Sequence, residues 1–240
     1  MVNLAQSEGW RFAVASFENP PPLHIAKLSE KYVGKPFFEG MPNRMSRVES
    51  VSAMKWVNDH FLFLEQRGGE AATIDSILDR ARQAVMRLGI RGLVIDPYNY
   101  ISQSKSVDNE HQGINEMLTR LVTFARANQI HIWFIAHPAK MATNPDGTTA
   151  VPKGMNISGS AAFFAKADLG ITVHLSPEKA SEIHVWKVRF KWIGSTGATV
   201  LDYDMPTGRY SELKLEDMPD PFTARVPDWN ETDDDWEIET

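Results

Sequence analysis

The feature that most constrains this chain is a series of short, wholly apolar runs separated by stretches with helical periodicity. Residues 10–16 (Trp-Arg-Phe-Ala-Val-Ala-Ser) read as a buried strand. The three prolines at 20–22 end it, because proline cannot continue a hydrogen-bonded ladder. A helix is expected from about Leu23, and residues 61–64 form another apolar strand. Thr73 then opens a helix in which Ile77, Ala81, Val85 and Leu88 recur at helical spacing, and Gly89 stops it. Strand 92–95, helix 108–127 with Ile114, Leu118, Leu121 and Ala125 on one face, and strand 130–136 follow. Helices between fully apolar strands predict an α/β fold. Its sheet should be mostly parallel and covered on both faces, with ligands bound at the carboxyl ends of the strands. Beyond Gly170 the pattern changes. Residues 171–174, 183–190, 198–203 and 209–213, with a turn at Pro206-Thr207-Gly208, read as an antiparallel run that closes the sheet.

At 240 residues and 42% hydrophobic content, one core is expected. The folded domain should span 1–214, with 215–240 a disordered acidic tail. No apolar run is long enough for a membrane helix and none resembles a signal peptide, so no membrane partner is expected and a cytoplasmic location is. With no cysteine there is no disulfide framework and no thiolate metal site. The net charge of −6 is uneven: ten acidic residues and a single base, Arg225, lie in the tail. The remaining 24 basic and 21 acidic residues leave the body at +3, so it can face phosphates.

Four strand ends carry residues suited to nucleotide hydrolysis. Glu18 follows the first strand, and a loop carboxylate is its plainer reading. Asp96 ends the strand 92–95, where an aspartate can hold Mg²⁺ through its water shell, although many parallel strands end in Asp without a metal. His137 follows the strand 130–136 as a core histidine or a phosphate sensor. Arg189 lies in Lys187-Val188-Arg189-Phe190 as an edge cation or a finger that stabilises transition-state charge. Residues 140–160 have the composition of an exposed loop, while Phe163 and Phe164 after it read as helix core. The joint occurrence of the four, in order, carries more weight than any one.

Ser16-Phe17-Glu18, Leu93-Val94-Ile95-Asp96, Ile135-Ala136-His137-Pro138, Ile157-Ser158-Gly159-Ser160-Ala161 and Lys187-Val188-Arg189-Phe190 with Gly194-Ser195-Thr196-Gly197 resemble the helicase half of phage primase-helicases and of Twinkle-type mitochondrial helicases. Bacterial DnaB-type replicative helicases are more distant relatives. The resemblance runs from about Val2 to Leu213. It implies a RecA-like ATPase core that takes ATP or another NTP with Mg²⁺. The implied assembly is a homo-oligomeric ring, a hexamer, which translocates on single-stranded DNA and unwinds duplex. Glu18 would polarise the attacking water, Asp96 would hold the Mg²⁺ water shell and His137 would sense the γ-phosphate. Arg189 would be the finger acting on a neighbour's nucleotide, with Lys187 beside it on the same strand face, and Tyr203 would stack on adenine. Lys140, Asn144, Lys153 and the backbone near Gly159 would grip DNA. In phage relatives such an acidic tail docks on the replicative DNA polymerase, which would make Trp229 and Trp236 anchors; for a phage-encoded chain, the cytoplasm would be that of the host.

No Gly-x-x-x-x-Gly-Lys-Ser/Thr phosphate loop occurs. In the family that loop precedes a helix leading into the first strand, and residues 1–5 read as later turns of that helix. The expectation is therefore a piece of a longer protein, weakly active or inactive alone. The Lys191-Trp192-Ile193 stretch makes the link after Arg189 longer than is usual in the family. Two other readings stay open: a RecA-like recombinase, and a non-catalytic ring or scaffold subunit that has lost its phosphate loop.

Overall fold

The computed structural model describes residues 1–65, 72–101, 110–141, 149–157, 161–176 and 180–213. In chain order the helices are α1 (Val2–Glu8), α2 (Pro21–Val33), α3 (Arg47–His60), α4 (Ile74–Leu88), α5 (Glu110–Asn128) and α6 (Ala162–Lys166). The strands are β1 (Phe12–Ser16), β2 (Phe61–Phe63), β3 (Gly92–Asp96), β4 (His131–Phe134), β5 (Leu169–Leu175), β6 (Ser181–Val188), β7 (Gly197–Asp204) and β8 (Arg209–Glu212). Strands β2-β1-β3-β4 form one parallel sheet.

Because successive strand residues face opposite ways, each apolar run feeds two cores. Ala13, Ala15, Leu93 and Ile95 meet Ile77 and Ala81 of α4 and Ile114, Leu118 and Leu121 of α5 on one face. Phe12, Val14, Phe61 and Val94 meet Val2 and Ala5 of α1, Leu28 of α2 and Val57 of α3 on the other. Each fully buried aliphatic, Leu93 and Ile95 among them, stabilises the sheet by roughly 1.5–3 kcal/mol. Helix α4 begins where expected: Thr73 and Ser76 form a reciprocal cap, and Gly89 closes it in the left-handed region. Residues 2–8 are helical, in keeping with the reading of residues 1–5. Helix α3 carries no strong apolar stripe, with only Ala53 and Val57 buried, and was not expected from the sequence.

The later strands correct one expectation. They do not extend the parallel sheet but form a second, antiparallel sheet in the order β5-β6-β7-β8. Three sets of contacts join it to the first body. Phe163 of α6 packs on Tyr98 and Phe134. Arg209 of β8 donates from Nε to the Lys31 carbonyl (2.7 Å) and from Nη2 to the Tyr32 carbonyl (2.9 Å), at the carboxyl end of α2 where a cation is favoured. Gly34 caps that helix with φ 76° and leaves room for the guanidinium, since a Cβ there would lie 2.6 Å from Arg209 Nη1. The third contact is Trp186 of β6, whose indole covers both Gly154 and Gly170. Phe164, expected in a helix core, is 37% exposed and instead stacks on Trp186 at 5.5 Å. On β5 the alternate residues Leu169, Ile171, Val173 and Leu175 are all exposed.

Candidate active site at the carboxyl ends of the parallel strands

Strand β1 gives way to Pro20, which flanks α2, and Pro21 starts the helix at a position that needs no amide hydrogen. The intervening chain is held to β3: the Phe17 amide donates to the Asp96 carbonyl at 3.0 Å. Glu18 thus lies beside the end of β3, where Asp96 is the last strand residue and pairs in register with Ser16. The Ile135 amide donates to the Ile95 carbonyl (2.9 Å), carrying the β4 pairing one residue further, and the Tyr98 amide donates back to the Ile135 carbonyl (3.0 Å). These bonds deliver His137 to the same end, with Nε2 3.5 Å from Glu18 Oε1. Three of the expected residues, Glu18, Asp96 and His137, are therefore brought together at the ends of three adjacent strands.

Their electrostatics fit a cation site. The Asp96 carboxyl is pushed above the ordinary aspartate range, first by burial and then by the negative field of Glu18, with His24 and His137 pulling the other way. His24 was not singled out from the sequence. It sits in the first turn of α2, shares a 2.8 Å hydrogen bond with the Ser16 hydroxyl and stacks on Phe63. Burial pushes its imidazole down, Asp96 raises it and Lys27 lowers it. The signal available was the proline-started helix, which turns its fourth residue back towards the strand end. No group of three or more His, Asp or Glu side chains among the described residues could hold a metal ion alone. A half-buried carboxylate beside a second one does suit Mg²⁺, which keeps much of its water and borrows phosphate oxygens. Next to Glu18 an open hollow of about 390 Å³ runs along the ends of β1 and β2, between Phe17, Pro20, Phe63, Leu64 and Glu65.

The other expected residues lie on the second sheet and the loop. Arg189 follows β6 and is engaged within its own chain: Nε pairs with Asp168 (2.8 Å), and Nη2 donates to the carbonyls of Ala165 (2.6 Å), Lys166 and Ala167 (both 3.3 Å). Lys187 reaches the same helix end, donating to the carbonyls of Phe164 and of Ala165 (3.2 Å). Burial, then the charge of Arg189, lowers the Lys187 ammonium from its usual range. The shared face expected for the two cations is present. None of these bonds reaches Glu18, Asp96 or His137. Tyr203 is 38% exposed and its ring lies 4.9 Å from that of its cross-strand partner Tyr210.

Lys140 and Lys153 are exposed on the two arms of the loop after His137. A Pro138–Ile157 bridge and a bond from the Ala139 amide to the Asn156 carbonyl (2.7 Å) close the neck of that loop. Its second arm docks on the antiparallel sheet through Thr172, whose hydroxyl donates to the Pro152 carbonyl (2.5 Å) and accepts from the Trp186 indole (3.1 Å). Asn144, Gly159, and the acidic tail with Trp229 and Trp236 lie outside the described residues. No described helix is long and apolar enough to cross a membrane.

A doubly covered parallel sheet with acidic and histidine side chains at its carboxyl ends, followed by an antiparallel sheet, is the architecture of RecA-type ATPase domains of the DnaB-like kind. The solved ATPase domain of G40P superposes with a TM-score of 0.71 at 15% identity, covering 89% of this chain and 78% of that one. A DnaB-like replicative helicase, solved in a study of its interactions with primase, gives 0.63 at 15% identity, covering 86% of this chain and 53% of that one. By sequence the chain is 40% identical over 223 residues to the Twinkle homolog protein, chloroplastic/mitochondrial, of Arabidopsis thaliana. The match takes in 88% of this chain and 31% of the plant protein, so the chain spans about a third of that relative's length. No protein-family profile matches. The chain is thus a sequence relative of the Twinkle homolog protein with the fold of DnaB-like helicase ATPase domains.

Proposed function

We propose that this chain is the greater part of an ATP-driven DNA helicase module which works as a ring of identical copies on single-stranded DNA. The observation that carries the reading is the convergence of Glu18, Asp96 and His137 on adjacent strand ends, in a chain closely related to the Twinkle homolog protein. In this reading Glu18 polarises the attacking water. Asp96 holds the water shell of Mg²⁺, which neutralises phosphate charge when bound. His137, within 3.5 Å of Glu18, hydrogen-bonds the γ-phosphate, so that loss of the phosphate is felt at the neck of the loop it begins. Arg189 serves a neighbouring copy's nucleotide, either through Nη1 or by exchanging its bonds to α6 for phosphate oxygens, and Lys187 supports the same face. Tyr203 stacks on the base. Lys140, Asn144, Lys153 and the backbone near Gly159 hold the DNA backbone, while the tail from 215 onward, outside the domain, contacts the DNA polymerase. The phosphates themselves need a loop that these 240 residues do not contain.

The engagement of Arg189 within its own chain favours a second reading, a ring or scaffold subunit without catalysis. One experiment separates the two. DNA-stimulated Mg-ATPase activity is measured for this chain and for a form extended upstream through a phosphate loop, each as wild type, Glu18→Gln and Arg189→Ala. The helicase reading expects activity in the extended wild type, loss in both variants with nucleotide binding kept, and partial recovery when the two inactive variants are mixed. An extended form that binds DNA but never hydrolyses ATP establishes the scaffold reading.

A further inference from the structure

Glu18 lies in the turn Ser16-Phe17-Glu18-Asn19 between β1 and α2, and a carboxylate on a turn is only as well placed as the backbone that carries it. One side of this turn is fixed by the Phe17 amide, bonded to the Asp96 carbonyl at 3.0 Å. The other side is reached by His24, the fourth residue of α2. Its Nε2 lies 2.8 Å from the Ser16 hydroxyl, at the start of the turn. Its ring is also hydrogen-bonded to the backbone of Asn19, at the end of the turn, and that bond favours the protonated imidazole. The group that favours a protonated ring is an acceptor, so the Asn19 carbonyl accepts and the imidazole donates. Nε2 is taken by Ser16, which leaves Nδ1 as the donor.

These partners select one tautomer. Burial, the largest influence, pushes the imidazole below its ordinary range against the pull of Asp96, so it carries a single proton at neutral pH. That proton sits on Nδ1 and faces Asn19, while the bare Nε2 accepts from the Ser16 hydroxyl. The ring stacks on Phe63 at 5.8 Å, and the prolines that start α2 stiffen the backbone from which it projects. A histidine in the first turn of a helix could serve only to cap it, but α2 has no side-chain cap. Both polar contacts of His24 go instead to the two ends of one turn, and Glu18 lies between them. The same turn brings Glu18 Oε1 to 3.5 Å from His137 Nε2, and Ser16 pairs in register with Asp96.

We propose that His24 is a positioning residue for the hydrolysis assigned to Glu18: as its Nδ1–H tautomer it clamps the Ser16–Asn19 turn and so holds the Glu18 carboxylate where it polarises the attacking water, touching neither water nor nucleotide itself. This rests on the helicase reading above in one respect, that Glu18 orients a water for attack. Misplacing a catalytic group by about 1 Å costs on the order of a hundredfold in rate. The nucleotide is held by other groups and binds as before, so the effect belongs in kcat and not in KM.

The clamp is tested on this chain as it stands by nitrogen NMR of labelled imidazoles, the His24 signals being those lost in His24→Gln. A protonated Nδ1 and a bare Nε2 are expected at neutral pH; a proton on Nε2 overturns the clamp. The positioning is tested in the extended, ATP-hydrolysing form. There His24→Ala should lower kcat about ten- to a hundredfold, with the nucleotide KM within about twofold and the melting temperature within about 4 °C of wild type. His24→Asn, whose amide nitrogen can take the place of Nδ1, should bring kcat back to within about fivefold of wild type, whereas His24→Gln, which reaches only towards Ser16, should not. In a Glu18→Gln background His24→Ala should change the residual rate by less than about twofold, because it acts through Glu18. Should His24→Ala fail to fold, the comparison of His24→Asn with His24→Gln decides in its place. An unchanged kcat, a loss that appears in KM, an undiminished loss in the Glu18→Gln background, or glutamine serving as well as asparagine each overturns the positioning role and leaves the helicase reading standing. An extended wild type that never hydrolyses ATP overturns both.

Discussion

Gly170→Ala tests the joint between the loop after His137 and the antiparallel sheet. Gly170 lies in β5 at a bulge, and the Trp186 indole lies over it: a Cβ at Gly170 would be 2.3 Å from two ring atoms. Ordinary carbon contacts are about 3.5–4 Å, so the ring must move by more than about 1 Å. Overpacking of this kind costs roughly 1–3 kcal/mol, and a partly exposed indole that can swing outward belongs in the lower half of that range. The swing also breaks the bond from the indole to Thr172, worth about 1 kcal/mol. The sum is about 2–3 kcal/mol, which for a domain of this size lowers the melting temperature by roughly 4–12 °C. Thermal unfolding by circular dichroism measures it, with Trp186→Leu and the double variant completing a cycle. In the Trp186→Leu background Gly170→Ala should cost less than about 0.5 kcal/mol, because the clashing ring is gone. Faster amide exchange at Asn156, whose N–H bonds to the Lys153 carbonyl, should accompany the single change. A melting temperature within about 1 °C of wild type, or an equal cost in both backgrounds, would refute the steric argument.

Asp96→Asn should raise stability while removing the proposed Mg²⁺ contact. The Asp96 carboxyl is pushed up in the folded chain, so the native state binds its proton more tightly and stability falls as pH climbs from the ordinary aspartate value through the raised one. The variant's advantage in denaturant midpoint, measured without Mg²⁺, should be full at pH 7.5 and shrink towards about pH 4; a variant less stable than wild type at pH 7.5 contradicts this. Ser46→Ala removes half of the reciprocal cap with Glu49 at the start of α3 and should cost about 1 kcal/mol, roughly 2–4 °C in melting temperature. Arg209→Ala should cost about the same, and hydrogen exchange should show the loss concentrated in β7 and β8, since the side chain ties that hairpin to α2. Uniform loosening across the parallel sheet would count against that assignment.

What could be read from the sequence was whatever depends on neighbours in the chain. The apolar strands, the stop at Gly89 and the polar residues after each strand follow from periodicity and turn chemistry, and strand ends in a parallel sheet share one edge by geometry. Helix α3 escaped because its stripe is weak: Val48 and Val51 face solvent at 79% and 56% exposure, and only Ala53 and Val57 are buried. The Ser46–Glu49 cap was its one clear signal. The separation of the two sheets left no local trace, since pairing partners of β5 are chosen by tertiary packing. His24 was hidden for a similar reason, because its partner Ser16 lies across a turn that only the folded α2 defines. Arg189 was legible as a cation after a strand, but its bonds to residues 165–168 depend on how α6 meets β6.

The loop after β4 links the two halves of the site in a way neither half explains alone. Its first arm starts at His137, beside Glu18, and the Pro138–Ile157 bridge follows at once. Its second arm hangs from Thr172 and Trp186 on the sheet that also carries Lys187 and Arg189. In the helicase reading proposed above, a shift of His137 towards a bound phosphate would pull on a neck whose far side is anchored to the sheet that carries Lys187 and Arg189. Packed interfaces of this kind move as units more readily than they stretch. The arrangement requires that weakening the anchor at Trp186 uncouple DNA stimulation from basal hydrolysis in the extended, active form. Trp186→Leu should leave DNA-independent ATPase within about twofold of wild type and reduce the stimulation by DNA at least about tenfold, a coupling loss of about 1.4 kcal/mol or more. If both rates fall together, the anchor matters only for folding; if neither changes, the loop takes its orders from His137 alone.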